Sequence, residues 1–266
     1  ENKAKSFDET IITLSNQLEI SLIALKSGFV DEGNDFGASS VKHISKKSIG
    51  VLTGENTSSL SSGELWYFFE QELKYPVHML LIEDLESALP SLSTLIVPEG
   101  QYQFSDNKAV LDWIEKGGNL IVIGSAAESF AGNDVFGLKI KDKDSASSET
   151  EIPYGDFERQ QLSSIVNGAI YSCNIDLSHP LSFGYTDYIT LRMNSNVYEH
   201  KEGGIFKLKK GAIPVSGFVG SNVAKKQTEA LIAGIHSIGS GTVIYFLENP
   251  LFRGFWENGK LMLVNS

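Results

Sequence analysis

The hydrophobic pattern along the chain changes character near residue 48. Before it, residues 8–27 place Ile11, Leu14, Leu18, Leu22 and Leu25 at three- and four-residue spacing. That period predicts an amphipathic helix, with Asp8 as its cap and Gly28 as its stop. The Gly/Asp/Ser-rich stretch 31–40 reads as a connector. After residue 48, short apolar runs alternate with helical patterns, as in βαβ units built on a parallel sheet. Strands are predicted at Ser48–Leu52, Val77–Ile82, Ser93–Val97 and Asn119–Gly124. Helices are predicted at Ser61–Lys74, with Leu65, Phe68, Phe69 and Leu73 on one face, and at Asp106–Lys116, stopped by Gly117-Gly118.

Beyond Gly124 the alternation breaks down. Residues 141–151 are polar, low in complexity and read as a surface loop. Short strand candidates follow at Ala169–Ile175, Ile205–Leu208 and Val215–Val219. Leu231–Ile235 and Thr242–Leu247 flank Gly239-Ser240-Gly241 as a hairpin, and a last helix spans Gly259–Asn265. The expectation is an α/β fold with a doubly wound, mainly parallel sheet and a β-rich insertion at about 137–228. Residues 1–40 form an N-terminal helix and connector, and residues 41–266 the main domain. In such sheets, sites form beyond the carboxyl ends of the strands. The windows to inspect are therefore Thr53–Ser62, Glu99–Tyr102, Gly124–Ser129 and Glu248–Arg253.

Composition and charge narrow the partners. The chain has 266 residues, 41% of them hydrophobic, and a net charge of −11. An acidic surface argues against nucleic acid and anionic membranes, and the basic run Lys42–Lys47 holds only three lysines. No segment reaches the run of about eighteen apolar residues that a membrane span needs. A single cysteine, Cys173, excludes an internal disulfide and any multi-cysteine metal site. The start at Glu1, with no signal-like stretch after it, reads as a mature or truncated chain.

The run Leu95-Ile-Val-Pro-Glu-Gly100, a helix ending in Gly-Gly, then Asn119-Leu-Ile-Val-Ile-Gly-Ser-Ala126 resembles class I glutamine amidotransferases. In that family the loop after the third strand contributes to an oxyanion hole, and the next strand leads to a sharp turn carrying the nucleophilic cysteine. The resemblance puts the nucleophile position at Ala126. It puts the catalytic histidine position at Leu247, within Tyr245-Phe-Leu-Glu-Asn249. Thiol chemistry needs a thiolate and a base, and these two residues supply neither.

A further resemblance covers nearly the whole chain. The runs Ile49–Glu55, Ser61–Leu73, Pro214–Gly220 and Asn249–Lys260 resemble the amidotransferase-like domain at the C-terminus of some large bacterial zinc carboxypeptidases. This implies a non-catalytic accessory or interaction domain of a secreted or periplasmic protein. Zinc is then expected only in the peptidase domain that precedes it, and no cofactor here. None of His43, His78, His179, His200 and His236 has a glutamate three residues later, so the zinc-ligand pair of a carboxypeptidase is missing. The expected partner is that peptidase domain, with a second copy of this chain as another candidate.

Rival readings rest on individual residues. Ser125, at a strand end, is a candidate nucleophile for a small-molecule hydrolase, although Ile123 stands where the serine-hydrolase elbow has glycine. Glu55 and Glu99 at the same edge could divide acid and base roles if their environments differed. His179, in the rigid Ser178-His-Pro180 turn, is a lesser acid/base candidate. A ligand-binding reading uses the strand-end cleft, with Glu99, Gly100, Ser125, Arg253 and Trp256 as binding residues and Arg253 as an anion clamp.

Overall fold

The computed structural model describes residues 6–41, 46–103, 107–141, 153–200, 204–224 and 226–266. The loop expected at 141–151 lies almost wholly outside these, as do residues 42–45 of the basic run and Asp106. The chain divides into two compact units, Glu1–Lys46 and Lys47–Ser266.

In the first unit, helix α1 spans Phe7–Leu18 and ends on Glu19, whose φ of 53° is left-handed. The expected helix over 8–27 is thus cut short. None of its residues is buried, so no packing offsets the entropy of extending it. The apolar positions that continue its period, Ile20, Leu22, Ile23 and Leu25, are exposed.

The second unit is built on strands that alternate with helices. They are β1 (Ile49–Thr53), α2 (Ser59–Trp66, continued by a π-helical turn to Glu72), β2 (His78–Leu81), α3 (Leu85–Ala88), β3 (Thr94–Val97), α4 (Lys108–Glu115) and β4 (Asn119–Ile123). The chain continues through β5 (Leu138–Lys141), α5 (Tyr154–Ser163), β6 (Val166–Ile175), β7 (Ile189–Arg192), β8 (Val197–His200), β9 (Phe206–Leu208), β10 (Ser216–Val219) and α6 (Ser221–Ala224). It closes with β11 (Leu231–Ile238), β12 (Gly241–Phe246) and α7 (Glu257–Asn265).

Among the described residues, ten strands form one mixed sheet in the order β10-β6-β9-β11-β12-β4-β3-β1-β2, with β7 also paired to β6. The block β12-β4-β3-β1-β2 is parallel throughout. Strands β5 and β8 make a separate antiparallel pair. The order of the parallel block brings the carboxyl ends of β1, β3, β4 and β12 together on one side.

Strand residues of this block feed two cores by simple alternation. Val51, Ile96, Ile121 and Phe246 pack with Leu65, Phe68, Phe69 and Met262 from α2, its π-turn and α7. Leu52, Leu95, Val97, Leu120 and Tyr245 pack with Leu85, Val110 and Ile114 from α3 and α4. Strands buried on both faces read as continuous apolar runs, the form NLIVI takes in β4. The helices start where side chains cap them: Ser58 accepts from the Ser61 amide, and Asn107 from the Val110 amide. Gly241 is required for close approach, since a Cβ there would sit 2.0 Å from the Ile114 carbonyl oxygen.

Candidate functional site

The loops after β3 and β4 are stitched to each other and to the start of α2. Ser125 Oγ accepts from the Gly100 amide at 3.1 Å and lies 3.4 Å from the Gly100 carbonyl. Ser129 Oγ accepts from the Tyr102 amide at 3.2 Å, and Ser61 Oγ accepts from the Glu99 amide at 3.2 Å. The turn after β4 begins on Gly124 with φ +56°, and a Cβ there would meet Glu99 Oε1 at 2.5 Å. The left-handed φ favours glycine at that point, and a side chain there would also have to displace the end of Glu99. Ser58, Glu99, Gly100, Gln101, Tyr102, Ser125, Glu128 and Ser129 line an open cleft of about 690 Å³ beside these loops.

Behind the cleft, Asn249 joins two carboxylates. Its Nδ2 donates to Glu99 Oε2 at 3.2 Å and to Glu64 Oε1, while its Oδ1 accepts from the amides of Leu251 and Phe252. Burial pushes the Glu99 carboxyl up, opposed by the Asn249 bond. Burial also raises Glu64, helped by the charge of Glu99 and opposed by Asn249 and the amides of Arg253 and Gly254.

One residue earlier, Glu248 is buried at the end of β12. Its Oε1 lies 3.3 Å from Arg192 Nε, and its Oε2 accepts from the Met193 amide at 2.9 Å. Burial outweighs these contacts and pushes the Glu248 carboxyl up to about 7. Arg192, fully buried on β7, donates through Nη2 to the carbonyls of Asn194 and Asn196 at 2.7 and 2.8 Å. This pair ties an inserted strand to the strand-end loops.

The two positions where the amidotransferase resemblance puts nucleophile and base are closed to substrate: Ala126 is 0% and Leu247 1% exposed. Among the described residues, the hydrogen-bond partners of Ser125 Oγ are both backbone groups of Gly100, and neither can act as a base. Glu99 lines the cleft, whereas Glu55 is exposed on the turn after β1. Gly100 also lines it, packed so closely that a Cβ there would sit 2.3 Å from the Asn56 carbonyl oxygen.

His179 is spent locally. Its Nδ1 accepts from the Leu181 amide at 3.1 Å, in a turn that packs against α7. Trp256 is half-buried and lines neither of the two clefts. Arg253 lines a second cleft, against α2, and its guanidinium lies 5.2 Å from the centre of the Phe252 ring. Cys173 is buried in β6, where burial pushes its thiol up to about 12; it is a small packed side chain, not a nucleophile.

Sequence reasoning singled out neither Glu64, Asn249, Glu248 nor Arg192 as a site residue. The Glu248-Asn249 pair carried a usable signal, being polar immediately after an all-apolar strand. Arg192 carried none, since β7 has only four residues and its two buried members, Thr190 and Arg192, are polar.

No protein-family model matches the chain, and no curated protein matches it significantly. Among solved structures, the mmIFT52 N-terminal domain is similar at a TM-score of 0.51 and 10% identity, over 82% of this chain and 95% of its own. The exo-β-1,4-mannosidase Op5Man5 from Opitutaceae bacterium strain TAV5 gives 0.46 and 10%, over 82% of this chain. A protein from Thermoplasma acidophilum described as a candidate GMP synthase component gives 0.43 and 14%, over 84% of this chain and 93% of its own. The chain spans only 35% of the mannosidase's length. Identities this low speak to fold alone. What the sheet and the IFT52 likeness together establish is an α/β fold with helices packed on a mixed sheet whose core strands run mostly parallel.

Proposed function

We propose that residues 47–266 are a class I glutamine amidotransferase-like domain that has no glutaminase or hydrolase chemistry of its own. It serves as an accessory or interaction domain of a secreted zinc carboxypeptidase-like protein. One observation carries the non-catalytic part: the strand-end hydroxyl and the loop amide that acyl transfer would require are bonded to each other, Ser125 Oγ to Gly100 N at 3.1 Å. An oxyanion hole needs its donors aimed at the reacting oxygen, and a nucleophile needs a base. Here the donor is taken up by the hydroxyl. Of the carboxylates nearby, Glu99 and Glu64 accept from Asn249, and Glu128 accepts from Asn196.

The accessory role rests on the sequence resemblance to the carboxypeptidase C-terminal domain, and zinc belongs in that reading to the peptidase domain alone. Turnover of glutamine and of activated esters by the full chain, compared with Ser125→Ala, tests the chemistry. The expected result is no turnover above buffer for either protein; turnover that Ser125→Ala abolishes would overturn it. Sequencing the coding region upstream tests the parentage, which fails if no His-x-x-Glu peptidase domain precedes this one. The open cleft of about 690 Å³, lined by hydroxyls and carboxylates, favours as a second reading that it binds a small polar ligand without transforming it.

A further inference from the structure

The turn after β12 holds an arginine in a conformation that suits glycine. Arg253 has φ 56° and ψ 25°, in the left-handed region. Non-glycine residues kept there are under strain that the rest of the structure must hold, and such strain gathers at ligand-binding sites. The turn follows Asn249, which donates to Glu64 of α2 and accepts from the amides of Leu251 and Phe252.

Between this turn and α2 lies a cleft of about 700 Å³, separate from the strand-end cleft. Leu60, Gly63, Glu64, Tyr67, Arg253 and Phe255 form its walls. Three of these are large apolar or aromatic side chains left in the open: Leu60 is 78%, Phe255 60% and Tyr67 51% exposed. Gly63 keeps the floor low, and a Cβ added there would meet nothing within 4 Å. Packing therefore gives no reason for a glycine in the middle of this helix, where it is unfavourable.

Charge decides what fits. Among the described residues lining the cleft, Arg253 is the one cation, in a chain of net charge −11. Glu64, the one acid, is engaged by Asn249, which leaves the Arg253 guanidinium, beside the Phe252 ring, as the charge at the cleft for a ligand. Arginine beside aromatic rings recognises planar anions that carry an apolar group.

We propose that this cleft binds a carboxylate borne next to an apolar or aromatic group, with the carboxylate on Arg253 and the apolar part against Leu60, Tyr67 and Phe255. Such a group occurs at the end of a peptide ending in an apolar residue and in a free aromatic acid. The proposal is independent of the reading of the strand-end cleft.

Calorimetric or ligand-observed NMR titration of the full chain with N-acetyl-phenylalanine, its amide, and a hexapeptide ending in phenylalanine tests it. The acid is expected to bind at least about tenfold more tightly than the amide. A hexapeptide that binds more tightly than N-acetyl-phenylalanine identifies a chain end as the ligand; equal or weaker binding identifies the free acid. Two variants separate binding from folding. Arg253→Gly relieves the left-handed strain, so its melting temperature should be unchanged or raised while binding of the acid is lost. Gly63→Leu fills open space on a helix and should likewise fold normally and lose binding. Equal binding of acid and amide, wild-type binding by Arg253→Gly, or no binding of the acid at millimolar concentration would overturn the proposal.

Discussion

Substituting Glu248 should change how the stability of this protein depends on pH, in a direction the structure fixes. The carboxyl is fully buried, and its pKa rises from an ordinary 4.5 to about 7 even with Arg192 beside it. The folded protein therefore holds this proton to higher pH than the unfolded chain does. The contribution to stability is complete below about 4.5, falls as pH rises, and is gone above about 7. The gap corresponds to about 3 kcal/mol. Glu64 and Glu99, also raised by burial, act in the same direction. Glu248→Gln mimics the protonated form at every pH. Near pH 5 it should match wild type closely, and at pH 8 it should be the more stable protein by up to about 3 kcal/mol. Arg192→Met should do the reverse, destabilising more at pH 8 than at pH 5, because an ionised Glu248 would lose its counter-charge. Urea unfolding followed by tryptophan fluorescence at several pH values between 5 and 8 reads all three proteins. Parallel curves for wild type and Glu248→Gln, or a wild type that gains on the variant as pH rises, would refute the reasoning.

Other substitutions bear on the strand-end loops. Ser125→Ala leaves the Gly100 amide without its acceptor and should cost about 1–2 kcal/mol in denaturant melts. Gly124→Ala combines φ +56° with a Cβ 2.5 Å from Glu99 Oε1, and should cost about 1–3 kcal/mol by the same assay. Asn249→Ala removes the bridge between Glu64 and Glu99 together with the cap on Leu251 and Phe252; a loss of about 2–4 kcal/mol, greater at pH 8 than at pH 5, is expected.

The parallel block was legible because its chemistry is local. NLIVI, TLIV and IGVLT are apolar runs bounded by turn residues, and the helices between them keep one apolar face. Windows chosen only as the ends of those strands contain every described residue that lines the strand-end cleft: Ser58 in the first, Glu99 to Tyr102 in the second, and Ser125, Glu128 and Ser129 in the third. The insertion was less legible. Strands β9 and β10 were visible as short apolar runs, but β5 (LKIK), β7 (ITLR) and β8 (VYEH) mix charge into four residues and depend on tertiary partners. The α1 period misled in the other direction: it continues past Leu18, yet with no face buried the regular spacing does not sustain a helix.

The placement of side chains was least legible. Arg253 and Ser125 both follow strands, and nothing in the sequence says that one faces α2 while the other turns back onto the Gly100 amide. That depends on the sign of φ at Gly124 and Arg253, which their neighbours in space determine.

The strand-end hydroxyl of Ser125 accepts from the Gly100 amide, and its described hydrogen-bond partners include no base. Intact-mass analysis of the folded protein after exposure to a broad fluorophosphonate probe, with peptide mapping of any adduct, tests this most directly. An unmodified mass is the predicted result; stoichiometric labelling at Ser125 would contradict it.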